Sequence, residues 1–169
     1  MKNKALFLDR DGVVNIDHGF VRRSADFQFL PGLFELCRYF QNKDYIIIII
    51  TNQSGVERGY FTEEDLRELH KYMLAELQKE GITVTDIFYC ISVDDAHPDR
   101  KPNPGLFLKA WDAYSLDLAA SVSIGDKERD ITAARKAGVG VNILLGGGAA
   151  TAAEYKAGNL SEVQSLCIS

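Results

Sequence analysis

Two aspartates, Asp9 and Asp11, flank a single residue at the end of the apolar run Ala5–Leu8, and Gly12 follows them. A second acidic pair, Asp126 and Asp130, stands just beyond the apolar run Val122–Ile124. In between come Thr51, Asn52, Gln53, Ser54 and Gly55 after Ile46–Ile50, then Arg100 and Lys101; Lys127 adjoins Asp126. Singly, each group has a plain explanation, because Asp, Asn, Ser and Gly form turns and Asp caps helices. Together they do not. Four carboxylates gathered at one edge of a sheet repel one another unless protons or a cation intervene. All-oxygen ligation suits Mg²⁺, which takes one or two carboxylates, several waters and a phosphate oxygen. Thr51, Asn52, Arg100, Lys101 and Lys127 supply the donors and the positive charge that a phosphate needs. The combination points to a site for a metal ion and a phosphate.

A common edge requires parallel strands, and the pattern predicts them. The short apolar runs Ala5–Leu8, Ile46–Ile50, Ile87–Cys90, Val122–Ile124 and Val141–Leu145 alternate with segments of helical period. That alternation marks repeated βαβ units in an α/β, doubly wound, Rossmann-like and mostly parallel sheet. Continuous β-branched runs suit strands covered on both faces. Helices are expected from Pro31 to Asn42, from a cap at Thr62 to near Gly81, after Pro104, and from about Glu128 to Ala137 with a stop at Gly138. In the third, Leu106, Phe107, Ala110, Trp111 and Tyr114 form the expected inner face, and His70 in the second reads as a helix-flank residue. Gly146–Gly148 reads as a flexible break, and Leu160–Leu166 carries a weak strand–helix signal. In open α/β sheets ligands sit beyond the carboxyl ends of the strands, so the two long loops, 12–30 and 91–101, are where function is expected.

The chain has 169 residues, and domains run about 100–200, so residues 1–169 read as one domain. With 46% hydrophobic and 25% charged residues it is an ordinary globular sequence. Lys plus Arg is 19 and Asp plus Glu is 24, a net charge of −5, which disfavours general binding to nucleic acid or to an anionic membrane. The longest apolar run, Tyr45–Ile50, is far short of the roughly 20 residues that span a bilayer. No signal-like segment opens the sequence, and three dispersed cysteines (Cys37, Cys90, Cys167) without a CxxC pair suggest reduced thiols in the cytoplasm.

Asp9-x-Asp11-Gly12 after the first strand, Thr51-Asn52 after the second, the later Lys101, and Gly125-Asp126-x-x-x-Asp130 resemble the four motifs of the haloacid-dehalogenase-like (HAD) phosphohydrolases. More narrowly, Asp9 to Asn15, Asp17 to Val21, Thr51 to Val56 with Arg58-Gly59, Arg100-Lys101-Pro102-x-Pro104-Gly105 and Gly125-Asp126-Lys127 look like the heptose-bisphosphate phosphatases of the histidinol-phosphatase-like subfamily. The resemblance spans residues 5 to about 145. It implies Asp9 as nucleophile, Asp11 as general acid and base, Thr51 and Asn52 on the phosphoryl oxygens, and Lys101 balancing their charge. Mg²⁺ would be held by Asp9, the Asp11 carbonyl and Asp126, with Asp130 in support. Asp17, His18, Gly19, Phe20, Gln53, Ser54, Arg100 and Lys127 would contact a small phospho-sugar, Arg100 through the phosphate that is not cleaved. No separate cap domain is expected, because the flap 12–30 is short.

Relatives of this kind carry four Cys/His zinc ligands after the third strand. Here only Cys90 and His97 occupy that loop, so zinc is not expected. A monomer is the simplest assembly. Two other readings are a phosphatase for another small phosphoester, such as histidinol phosphate, and a receiver-like signalling domain. The latter would need its acceptor Asp after the third strand, where this chain has Cys90-Ile91-Ser92.

Overall fold

Along β1 (Lys4–Leu8), Leu6 and Leu8 face one apolar layer while Ala5 and Phe7 face another. The same alternation runs through β2 (Tyr45–Asn52), with Ile47 and Ile49 on one side and Ile48 and Ile50 on the other. Side chains alternate faces along a strand, so two apolar faces require two covering layers of helix. A computed structural model describes residues 1–146 and 151–166 and shows both layers. Cys167 and Gly147–Gly148 of the expected glycine break lie outside the described residues.

Four more strands, β3 (Val84–Cys90), β4 (Val122–Gly125), β5 (Val141–Leu145) and β6 (Tyr155–Ala157), complete a parallel sheet of order β3-β2-β1-β4-β5-β6. On one face lie α1 (Leu33–Gln41), α2 (Glu63–Lys79) and α5 (Leu160–Val163), contributing Leu36, Phe40, Leu69, Met73 and Leu160 to the larger core. On the other lie α3 (Gly105–Tyr114) and α4 (Glu128–Ala137), contributing Leu106, Phe107, Ala110, Ala133 and Ala134. The chain winds outward from β1 to β3, then crosses back to β4. The order therefore reverses between β1 and β4, and ligands of open α/β sheets bind at such a reversal.

The helix signals hold with local corrections. Thr62 and Asp65 form a reciprocal capping box at the start of α2, with N···O distances of 3.0 and 2.8 Å. α4 stops at Gly138, whose φ of 99° is the left-handed cap that glycine favours. α1 starts at Leu33 rather than Pro31, after Gly32 at φ 87°. β3 begins at Val84, earlier than expected, and its residues up to Tyr89 are half-buried because it is an edge strand. In α3, Trp111 lies at the rim of the inner stripe and is 46% exposed, so the expected five-residue inner face was drawn one residue too wide. Tyr114 is half-buried and donates its hydroxyl to Asp86 Oδ2 at 2.6 Å. The weak strand–helix signal at Leu160–Leu166 resolves as the short helix α5 with no strand, and the strand that extends the sheet, β6, lies just before it and was not expected. Glu154 Oε2 accepts from the Asn142 main-chain N–H (2.8 Å) and from Asn142 Nδ2 (3.0 Å), setting β6 beside β5.

Cys37 and Cys90 are free and buried, and burial pushes the Cys37 thiol up to about 12, so it stays protonated. No helix among the described residues is long and apolar enough to cross a membrane. The two faces of α3 give a direct test in urea unfolding. Phe107→Ala should cost about 3–5 kcal/mol as a core truncation, whereas Trp111→Ala should cost no more than about 1–2 kcal/mol because half of the ring is already in water.

Candidate active site

The end of β1 is tied to its neighbour by the Asp9 N–H, which donates to the Ile124 carbonyl at 3.1 Å. The chain then turns at Gly12, where φ is +91° and an added Cβ would stand 2.1 Å from Asp126 Oδ2. Glycine is required there on both counts, and its absence of side chain lets the two acidic turns meet. Asp9, Asp126 and Asp130 bring one oxygen each within 4.8 Å of one another.

Lys101 joins this group from the far side. Its ammonium is buried and donates to Asp9 Oδ1 (2.9 Å), Asp130 Oδ1 (2.8 Å) and the Ile50 carbonyl (2.8 Å). Burial alone would lower its pKa, but the two carboxylates outweigh burial and hold it above the usual lysine range. Asp130 is kept below the usual carboxylate range in spite of its burial, by the Lys101 charge and hydrogen bond and by the Lys127 main-chain N–H at 3.1 Å. Asp9 goes the other way. Burial and then the charge of Asp130 push it well up, against the pull of Lys101. Asp126 is raised by burial and by Asp130, and its Oδ1 is buried without a hydrogen-bond partner among the described residues.

Three carboxylates thus face one ammonium, with a buried oxygen left over. A divalent cation with oxygen ligands satisfies both the excess charge and the orphan atom, so these residues fit Mg²⁺.

Asp11 has different company. Its Oδ1 accepts from Arg10 Nη2 (2.8 Å), Arg10 Nε (3.2 Å) and Asn15 Nδ2 (2.9 Å), and its Oδ2 accepts from Gln53 Nε2 (2.9 Å). Burial would raise its pKa, but the Arg10 charge and these donors hold it below the usual range. Arg10 itself is fully buried; its Nη1 lies 3.1 Å from His70 Nε2 and its Nη2 donates to the Val21 carbonyl at 3.0 Å. His70 is therefore an interior partner of the site rather than a helix-flank residue.

A cavity of about 260 Å³ opens above these groups. Its walls include Asp17, Gly19, Phe20, Gln53, Ser54 and Lys127, as expected from the sequence, together with Asp9, Asp11 and Lys101. Lys127 Nζ lies 3.7 Å from Asp17 Oδ2 and 3.6 Å from Asp126 Oδ2, linking the flap to the acidic cluster. Arg100 also lines the cavity, held by Asp95 Oδ1 (3.1 Å) and the Ser92 carbonyl (3.0 Å).

Three expected contacts are placed differently. His18 turns outward, with Nε2 3.1 Å from Gln28 Oε1, and borders a separate hollow rather than this cavity. Thr51 is buried below the floor, where its Oγ1 accepts from Gln53 Nε2 at 2.9 Å. Asn52 reaches the wall, but its amide is spent on the Lys101 backbone, accepting from its N–H (3.0 Å) and donating to its carbonyl (3.1 Å). That reciprocal pair makes Asn52 the residue that sets where Lys101 enters the site.

Sequence reading missed Arg58 and Arg129, which both line the cavity. Arg58 stands within the Thr51–Gly59 stretch and Arg129 between Asp126 and Asp130, and residue type and spacing give no signal for where a long side chain reaches. In the third loop Cys90 Sγ is 3.7 Å from His97 Nδ1, which also accepts from the Asp99 N–H at 3.1 Å.

In fold and in site chemistry the class is that of the HAD-like phosphohydrolases. A HAD-hydrolase-like family model matches residues 99–164. The chain is 47% identical over 145 residues to the D-glycero-alpha-D-manno-heptose-1,7-bisphosphate 7-phosphatase of Campylobacter jejuni, covering 86% of this chain and 84% of that one. It is 43% identical over 153 residues to the corresponding beta-heptose 7-phosphatase of Vibrio cholerae, covering 86% and 82%. The solved D,D-heptose 1,7-bisphosphate phosphatase from B. bronchiseptica, complexed with magnesium and phosphate, superposes with a TM-score of 0.85 at 32% identity, covering 96% of each chain. The chain belongs to the heptose-1,7-bisphosphate 7-phosphatase family of these hydrolases.

The buried His70 generates a pH prediction. Burial, and then the Arg10 charge, lower its pKa to about 3, below the usual 6.5. The unfolded chain therefore takes up a proton that the folded chain refuses, and stability is lost as pH falls below about 6.5, by up to about 1.4 kcal/mol per unit. Urea unfolding of the wild type and of His70→Gln at pH 7.5 and 5.5 should show the wild type losing the larger share of its stability. Equal losses in the two proteins would contradict the buried neutral state.

Proposed function

We propose that this chain removes the 7-phosphate of D-glycero-D-manno-heptose 1,7-bisphosphate through an aspartyl-phosphate on Asp9, in the cytoplasm and toward nucleotide-activated heptose for surface glycans. The observation that carries the reading is the placement of Asp9. It is a half-buried carboxylate at the cavity floor, bonded to a fixed ammonium and facing two further carboxylates at the switch point of the sheet.

Asp9, the Asp11 main-chain carbonyl and Asp126 are the groups that would hold Mg²⁺, with Asp130 supporting. When bound, Mg²⁺ supplies the positive charge that lets a carboxylate approach a phosphate dianion. In the first displacement an Asp9 oxygen forms a bond to phosphorus as the bond to the sugar oxygen breaks. Asp11 gives its proton to that leaving oxygen, a contribution of about 10²–10⁴-fold. In the second displacement Asp11 takes a proton from water, whose oxygen bonds to phosphorus and frees Asp9 and inorganic phosphate. Asp11 is ionised before substrate arrives, since its donors hold its pKa low. A phosphate dianion beside it adds like charge and raises its proton affinity, which readies it as the acid.

Lys101 presents an already oriented positive charge to the phosphoryl group. Gly19, Phe20 and Ser54 bound the space left for the sugar, and Arg100 pairs with the phosphate that stays. In the loop bearing Arg100, Asn103 Nδ2 donates to the carbonyls of Asp95 and His97, both at 2.9 Å. Protein hydrogen bonds thus brace this loop, and Cys90 with His97 falls short of a four-ligand structural zinc site. The receiver-like alternative finds no carboxylate directly at the end of β3, where Ile91 and Ser92 follow Cys90.

The deciding experiment is phosphate release from each anomer of heptose 1,7-bisphosphate beside histidinol phosphate, with and without Mg²⁺. Release from the bisphosphate alone, and only with Mg²⁺, is expected, with no stoichiometric zinc in the enzyme. Asp9→Asn should bind substrate but neither turn it over nor yield the acid-labile phosphoenzyme found when wild type is quenched. Trapped phosphate in that variant would place the nucleophile elsewhere. Arg100→Ala should lose about 10–100-fold in kcat/KM on the bisphosphate, the loss of a charge-assisted hydrogen bond, and far less on monophosphates. Equal losses on both would remove Arg100 from recognition of the second phosphate.

A further inference from the structure

One buried group beside the acidic cluster has no part in the two displacements. Arg10 stands between Asp9 and Asp11 in the chain, and its guanidinium is fully buried among three partners. It donates to Asp11 Oδ1 through Nη2 (2.8 Å) and Nε (3.2 Å), and to the Val21 carbonyl of the flap at 3.0 Å. Its Nη1 points at His70 Nε2, 3.1 Å away on α2. A guanidinium has five donors and no acceptor. The contact with His70 therefore requires a lone pair on Nε2, and His70 is the neutral tautomer with its proton on Nδ1. None of the cavity's lining residues comes from α2, so His70 does not touch substrate.

The donors on Asp11 are unevenly shared. Oδ1 accepts from two Arg10 nitrogens and from Asn15 Nδ2, whereas Oδ2 accepts only from Gln53 Nε2. Three donors fill Oδ1, so a proton added to this carboxylate goes to Oδ2. Orientation of the carboxylate then decides where the transferable proton points, and that orientation is set by the Arg10 fork. The fork in turn is held at its far end by His70.

We propose that His70 is a positioning residue for the proton-transfer step, acting through Arg10 to hold Asp11 with Oδ2 as its acid oxygen. In that step the Asp11 Oδ2–H bond breaks and its proton goes to the leaving sugar oxygen. At the same time the bond from phosphorus to that oxygen breaks and the Asp9–phosphorus bond forms. The inference rests on Asp11 being the acid, as set out above. It goes further in assigning a role to a helix residue that lies outside the cavity.

A leaving group that needs no proton distinguishes this role from a structural one. Alkoxide departure from a sugar phosphate requires the acid, whereas 4-nitrophenolate leaves as a stable anion. We would measure kcat/KM on heptose 1,7-bisphosphate and on 4-nitrophenyl phosphate for wild type, His70→Phe, His70→Gln and Asp11→Asn. This ratio reports only the steps through departure of the leaving group, so hydrolysis of the phosphoenzyme, in which Asp11 is the base for both substrates, does not enter it. His70→Phe should lose about 10–100-fold in kcat/KM on the sugar phosphate but no more than about threefold on 4-nitrophenyl phosphate, part of the 10²–10⁴-fold available from acid catalysis. Glutamine offers an Oε1 acceptor to Arg10, so His70→Gln should recover most of the lost kcat/KM.

The ratio of the two activities on one preparation does not depend on the fraction folded, and His70→Leu provides the same comparison if the phenyl ring is not accommodated. Equal losses on both substrates, no loss on either, or no recovery with glutamine would overturn the proposal while Asp11→Asn still shows the split. If Asp11→Asn itself loses both activities equally, the acid assignment fails and takes the proposal with it. If wild type does not turn over the heptose bisphosphate, the substrate reading fails alone, and the same comparison runs on an alkyl phosphate that it hydrolyses.

Discussion

A single ammonium group holds this site together. Lys101 Nζ sits between Asp9 and Asp130 at 2.9 and 2.8 Å, with the Ile50 carbonyl completing its shell. The four groups come from the end of β1, the end of β2, the loop after β3 and the first turn of α4, so one buried cation joins four separate strand ends. Removing one partner of such a buried pair typically costs about 3–5 kcal/mol, because the remaining charge is left in a poor solvent. The arrangement is thus fixed by its own electrostatics. Any slip of the β1 or β4 register would separate an oxygen from the ammonium.

The same charges explain what the site can receive. Asp9, Asp126 and Asp130 carry three potential negative charges against one buried ammonium, and burial, then the charge of Asp130, makes Asp9 and Asp126 retain protons more strongly than free carboxylates. A cation relieves that excess. Further out the sign reverses, because Arg58, Arg100, Lys127 and Arg129 line the same cavity in a chain whose net charge is −5. Such local reversal attracts a doubly charged ester to one mouth while the rest of the surface repels it. Phosphate affinity here comes from placement of charge, not from its total.

The parts legible in the sequence were those whose chemistry is tied to strand ends. Asp9, Asp11 and Asp126 declare themselves because charged residues directly after apolar strands must meet at one edge of a parallel sheet, and Lys101 because it closes the long loop after β3. Capping at Thr62 and the stop at Gly138 are equally local. Less legible was anything decided by where a side chain turns. Asn52 occupies the expected position, yet its amide is used by the Lys101 backbone. His18 lies in the expected loop but swings to Gln28, and Trp111 shares the period of α3 while sitting past the edge of its buried stripe. Arg129 stands between Asp126 and Asp130 in the first turn of α4, where periodicity cannot show which cavity a long side chain overhangs. β3 looked fully buried because an apolar run does not reveal that it is an edge.

The flap illustrates how specificity and chemistry are joined in one chain segment. Residues 12–30 leave the catalytic turn and return to α1, and their position depends on groups that also serve Asp11. Arg10 holds the Val21 carbonyl with the same Nη2 that holds Asp11, and Asn15 donates both to Asp11 and, at 3.1 Å, to the Ile16 carbonyl. Beyond Val21 the flap rests on the segment after β2, where Phe20 packs edge-on to Tyr60 with ring centroids 4.7 Å apart. A substitution that moves the flap to admit a different sugar therefore also disturbs the Asp11 carboxylate. Changes of substrate in such a molecule are easier from the opposite wall, where Arg58, Arg100 and Arg129 border the cavity without contacting Asp11. The flap side is tied to Asp11 through Arg10 and Asn15, and the arginine side is not.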